Sequence, residues 1–105
     1  MEIIEIPHFT EVVMDYLSDD DYSAFQWFIA FNPDTGDLVK GTGGARKVRW
    51  KSSKTGKRGG LRIIYYYKPK PTEIWMLTIY TKSRKQDLSM DDKDTLKKII
   101  QEIKQ

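Results

Sequence analysis

Arg62 sits inside the most strand-prone run of the chain, Leu61-Arg62-Ile63-Ile64-Tyr65-Tyr66-Tyr67. A charge placed there costs stability unless it meets solvent or a ligand. Other cations flank it in sequence: Arg46, Lys47 and Arg49 before it, Lys54, Lys57 and Arg58 closer in, and Lys82, Arg84 and Lys85 beyond the next apolar run. Cations interleaved with aromatics suit a nucleic-acid backbone and its bases. The same set permits cleavage of RNA without a metal. The substrate's own 2′-OH is then the nucleophile, and cations stabilise the crowded phosphate. With no histidine in the basic region, Lys or Tyr must move the protons. An unperturbed lysine, with a pKa of about 10.4, is a poor base at neutral pH. Neighbouring cations such as Arg62 or Lys57 can depress it.

Other chemistries are excluded by composition. The 105 residues contain no cysteine and one histidine, His8, which removes disulfide scaffolds, thiolate zinc sites, thiol catalysis and His-paired zinc. Asp34 and Asp37 lack the spacing and closing Glu of a calcium loop. The triple glycine of Lys40-Gly41-Thr42-Gly43-Gly44-Ala45-Arg46 is neither a Walker loop nor a dinucleotide fingerprint, because no Gly-Lys-Ser/Thr and no helix follow. No cofactor and no metal are expected. No apolar run is long enough to cross a membrane. The opening MEIIEIPHF carries no basic residue before its apolar ones, so no secretory leader and a cytoplasmic location are expected.

The net charge of +3 hides a partition. Residues 1–39 hold nine acids and no Lys or Arg, whereas residues 40–85 hold fourteen bases and one acid, Glu73. One side of the molecule should therefore attract a polyanion and another repel it.

The elements that must position these groups are legible. Glu2-Ile3-Ile4-Glu5-Ile6 reads as a strand ending at Pro7. Phe9, Val12, Val13 and Tyr16 recur at helical spacing, with His8 at the start in a capping or surface role. Ser18 opens a second helix with Asp19, Asp20 and Asp21 in its first turn, where carboxylates oppose the helix dipole. Ser18-x-x-Asp21 imitates a capping box. Tyr22, Phe25, Phe28 and Ile29 form that helix's apolar stripe, flanked by Trp27. Val48-Arg49-Trp50, the run 61–67 and Ile74–Tyr80 form a three-strand antiparallel meander, with a basic loop over 51–60. Ser89-x-x-Asp92 starts a last helix with Leu96, Ile99, Ile100 and Ile103 at helical spacing. The expected fold is a single α+β domain over residues 1–105: a small antiparallel sheet, N-terminal strand plus meander, with helices on one face.

Strand alternation assigns the faces. Leu61, Ile63, Tyr65 and Tyr67 face the helices, with Leu77 and Ile79 matching them. Arg62, Ile64, Tyr66, Thr78 and Tyr80 then share the open face. Trp27, Trp50 and Trp75 are expected in the core or its rim.

The segments Gly41-Thr42-Gly43-Gly44-Ala45-Arg46-Lys47-Val48-Arg49, Gly56-Lys57-Arg58-Gly59-Gly60-Leu61-Arg62-Ile63-Ile64-Tyr65-Tyr66 and Leu77-Thr78-Ile79-Tyr80-Thr81-Lys82 together resemble the RelE/ParE toxin superfamily, closest to its HigB-type branch. The resemblance spans nearly the whole chain. It implies a RelE-like fold and the toxin of a type II toxin–antitoxin system, a metal-independent mRNA endonuclease working in the ribosomal A site. By position, Arg62 matches the strand arginine that contacts the scissile phosphate. Lys54 and Lys57 fall in the loop of basic catalytic residues, and Lys82 matches the basic position after the last strand. The late tyrosine of some members is replaced by Leu88, leaving Tyr80 as the substitute. Arg46, Lys47, Arg49, Arg58, Arg84 and Lys85 are then RNA contacts. The implied partners are ribosome, mRNA and a helix-turn-helix, HigA-like antitoxin, with no membrane. A ParE-like gyrase inhibitor and a non-catalytic RNA-binding module are the competing expectations.

Overall fold

The computed structural model describes residues 1–54 and 56–105, the side chains of 56–59 excepted. Strand β1 (Glu2–Glu5) leads into helix α1 (Pro7–Tyr16), with Pro7 at the first helical position, where its missing N–H is no loss. Helix α2 (Asp19–Phe31) follows after a two-residue break. Strands β2 (Asp37–Leu38), β3 (Ala45–Ser52), β4 (Gly56–Lys68) and β5 (Glu73–Thr81) come next, and helix α3 (Met90–Lys104) ends the chain. The sheet order is β1-β5-β4-β3-β2. The expected α+β class holds, and the meander β3-β4-β5 is antiparallel as expected. The sheet as a whole is mixed, because β1 lies parallel to β5. A two-residue edge strand, β2, adds to the expected elements by pairing with β3. The meander strands also reach further than expected: Ser52 pairs with Gly56, so most of the expected 51–60 loop is ladder.

Helices α1 and α2 cover one face. Phe9, Val13, Leu17, Phe25 and Ile29 pack there on Leu61, Ile63, Tyr65, Ile74, Met76 and Ile79. Helix α3 lies on the opposite face, where Leu96 and Ile100 meet Ala45, Ile64, Tyr66 and Leu77. The helix pair is thus on the expected side, and the third helix covers part of the face expected to be open. Its sequence requires this: Leu96, Ile99, Ile100 and Ile103 form one apolar stripe, and Ile64 and Tyr66 are too apolar to leave wet.

Two local features correct the expected facing. The β4–β5 register breaks between Ile64/Thr78 and Tyr65/Met76, leaving Leu77 as an extra residue in β5. In such a bulge two consecutive side chains share a side. Leu77 therefore joins the α3 face rather than the helix-pair core, while Ile79 keeps its expected place. Trp27 is the second correction. It lies about 200° round the helix from Phe25, is 68% exposed, and stacks on Phe31 instead of flanking the core. Trp50 does meet the core rim, edge-on to Phe25.

The two serine caps form as expected, but differently. Ser89 and Asp92 make a complete capping box. Ser18 accepts from the Asp21 N–H at 3.1 Å, yet the Asp21 carboxylate turns away to the Ser53 N–H (2.9 Å) and hydroxyl (2.8 Å). Asp21 thereby ties α2 to the end of the β3–β4 hairpin.

Candidate nucleic-acid interface on the third-helix face

Three adjacent strands set one row of side chains. Arg49 of β3 lies opposite Arg62 of β4, and Arg62 lies opposite Tyr80 of β5. Opposed residues share a face, with Cβ atoms about 4.5–5.5 Å apart. Tyr80 reaches this face because of the Leu77 bulge; unbroken alternation from Met76 would send it into the helix-pair core. Lys47 stands one step along the same face of β3, paired with Ile64. Lys82 closes the group. Its N–H donates to the Gly60 carbonyl at 2.7 Å, and a Cβ on Gly60 would lie 3.9 Å from its own Cβ. Since residues 60 and 62 share a face, Lys82 stands beside the row.

Two guanidinium groups facing each other across a ladder concentrate positive potential on one spot. Arg62 is not on an open surface, however. It is 7% exposed, with Nη1 at 3.5 Å from the Leu61 carbonyl. Tyr80 is 6% exposed, and its hydroxyl is the one buried side-chain polar atom without a hydrogen-bond partner among the described residues. Burial pushes its pKa up, Asp87 and Asp92 push the same way, and Arg62 pulls against them. The phenol therefore stays protonated at neutral pH and can donate to an oxyanion.

Two carboxylates border the row. Asp87 is held below its ordinary range, first by the Leu88 N–H and then by Lys47, whose ammonium is 3.5 Å away. Asp92 is held down by Lys85 at 2.8 Å and by the Ser89 N–H. The Lys85 ammonium also lies 6.0 Å from the centre of the Tyr80 ring. These acids orient Lys47 and Lys85 and damp the local field. They were missed in the sequence. The Ser89-x-x-Asp92 spacing announced a cap but not its second duty to Lys85, and Asp87 carries no local signal.

Arg49, Arg62, Tyr80, Lys82, Lys47 and Lys85 are thus brought to one region. Other candidates are not. The Lys54 ammonium donates to the Met14 carbonyl of α1, which holds it to the helix pair and away from Arg62. Arg46 faces the opposite side and donates to the carbonyls of Asp34 (3.0 Å) and Gly36 (2.8 Å), closing the turn after α2. The side chains of Lys57 and Arg58 lie outside the described residues. Arg84 borders a groove of about 440 Å³ that runs past Tyr80 between α1 and α3, lined also by Val12, Leu77 and Ile99. His8 takes the expected surface position, and its Nε2 lies 3.2 Å from the Thr78 hydroxyl at this groove. Among the described residues no helix is long and apolar enough to cross a membrane. No model of a known protein family matches the chain.

Proposed function

We propose that the protein is the toxin of a type II toxin–antitoxin pair, acting in the cytoplasm as a metal-independent, ribosome-dependent endoribonuclease, as its RelE/HigB-type resemblance implies. One observation carries the reading: the Arg49–Arg62–Tyr80 row, ending in a buried phenol whose hydroxyl has no hydrogen-bond partner among the described residues. Arg62 and Arg49 hold the phosphate of an mRNA strand and take up its developing charge. The 2′-oxygen attacks the adjacent phosphorus, the bond to the 5′-oxygen breaks, and a 2′,3′-cyclic phosphate and a 5′-hydroxyl result. Tyr80 supplies the proton to the leaving oxygen. Lys82 and Lys57 are the candidates for taking the 2′-proton. A HigA-like helix-turn-helix antitoxin is the expected neutralising partner.

The test is brief induction of the wild-type chain and of Arg62→Ala, with mapping of mRNA 5′ ends and growth measured in parallel. Wild type should arrest growth and generate new ends. The variant should fold, by circular dichroism, and cut about 100-fold less. Arrest with intact mRNA and a DNA-damage response would replace this reading with gyrase inhibition. A specific observation favours a second reading, a non-catalytic RNA-binding module: Lys54 is committed to α1 and Arg62 is buried. That module would bind RNA with a steep salt dependence and leave growth unaffected.

A further inference from the structure

Helix α2 has a second apolar feature that the fold does not use. Tyr22, Phe25 and Ile29 are buried against the sheet. On the outer side Trp27 and Phe31, one turn apart, are 68% and 73% exposed. Their rings stack nearly parallel, 5.6 Å between centres and 11° between planes. Large aromatics left exposed side by side mark contact surfaces, and tryptophan is the commonest energetic anchor of such surfaces.

The surrounding charge identifies the occupant. Asp20 lies on the same outer stripe, about 10 Å along the axis from Trp27, and Asp34 follows in the turn after Phe31; both are exposed. No Lys or Arg occurs in residues 1–39; one cation from beyond them, Arg46, reaches the turn, where it donates to the carbonyls of Asp34 and Gly36 and leaves the Asp34 carboxylate exposed. A second copy docked through this stripe would bring acids against acids. Nucleic acid and anionic lipid are repelled for the same reason. A positively charged protein segment is attracted, and its arginines can also lie on the faces of the stacked rings.

We infer that the outer face of α2 is a docking surface for a helical protein segment that sets apolar side chains on Trp27 and Phe31 and arginines against Asp20 and Asp34. The inference is independent of the ribonuclease reading, which concerns the other side of the sheet.

The experiment uses the full chain and two labelled synthetic peptides of about 15 residues. Both are helical with leucines one turn apart; one carries arginine beyond each leucine, the other glutamate. Binding is followed by fluorescence anisotropy, with sedimentation of the protein alone. The arginine peptide should bind, about tenfold more weakly to Trp27→Ala/Phe31→Ala and severalfold more weakly to Asp20→Asn/Asp34→Asn. The glutamate peptide should not bind. All four positions are exposed, so the variants should keep the wild-type circular dichroism. Equal binding of the arginine peptide by wild type and the aromatic variant, binding of the glutamate peptide, no binding of either, or a dimer abolished by Trp27→Ala would each overturn the proposal.

Discussion

Alternate residues of β4 enter two different environments. Leu61, Ile63 and Tyr65 enter a core closed by two helices, where the Tyr65 phenol donates to the Pro33 carbonyl at 2.8 Å and accepts from the Gly36 N–H at 3.0 Å. Arg62, Ile64 and Tyr66 enter a face closed by one helix, which covers Ile64 and Tyr66 and leaves the Arg62 end to charged groups. Among the described residues, the first face satisfies its buried side-chain polar atoms and the second leaves the Tyr80 hydroxyl unmatched. The difference teaches where stability resides and where chemistry can: a surface assembled around like charges and an orphaned hydroxyl has given up stability that a ligand can return.

Breaking the first face should have the largest effect on folding. Phe25→Ala removes a fully buried ring and should cost about 3–5 kcal/mol, read by urea denaturation. Arg62→Met tests the contrast directly. Replacing the buried charge by an apolar chain of similar length should lower affinity for a short single-stranded RNA about tenfold, with stability followed in parallel by urea denaturation. A loss of several kcal/mol would show that Arg62 holds the fold. Tyr80→Phe deletes the unmatched hydroxyl and should stabilise by about 1 kcal/mol, whereas Tyr65→Phe should destabilise by a similar amount. Opposite signs for the same chemical change would sharpen the comparison most. Asp87→Asn removes a carboxylate and releases Lys47, so RNA affinity should rise severalfold in low salt, an effect that fades as salt is added.

The pH dependence has a defined sign. Tyr22, Tyr65 and Tyr80 are all raised above 10.0, chiefly by burial. The folded chain then keeps protons that the unfolded chain loses, so their contribution is intact below pH 10 and is lost as the pH rises beyond it. Asp21, Asp87 and Asp92 are lowered from 3.8 by hydrogen bonds and neighbouring lysines. Their contribution is present above that value and disappears as the pH falls below it. Thermal melts across both ranges check the two limbs.

The helices and the meander were legible because their signals are local: serine caps, apolar periodicity and a β-branched, aromatic run. The row of Arg49, Arg62 and Tyr80 was partly legible, since alternation put Arg62 and Tyr80 on one face. What alternation cannot supply is long-range information. The side chosen by α3 depends on which sheet face is left uncovered. The place of Leu77 depends on a bulge with no turn residue to announce it. The diversion of Lys54 to the Met14 carbonyl and of Arg46 to the turn after α2 depends on neighbours forty and about ten residues away. Charge counting treats all cations as equivalent, and the folded backbone does not, because free carbonyl groups at helix ends and turns compete for them.

The extra residue at position 77 makes the parity of β5 adjustable. Upstream of it the strand is locked to β1 and the helix-pair core; downstream it reads in the opposite phase. Pairing all of these residues through without the bulge would exchange the destinations of Ile79 and Tyr80, sending an isoleucine to the cationic row and a phenol into the dry interior. One local irregularity of the ladder therefore separates a sheet able to present a proton donor beside its arginines from one that is only a scaffold.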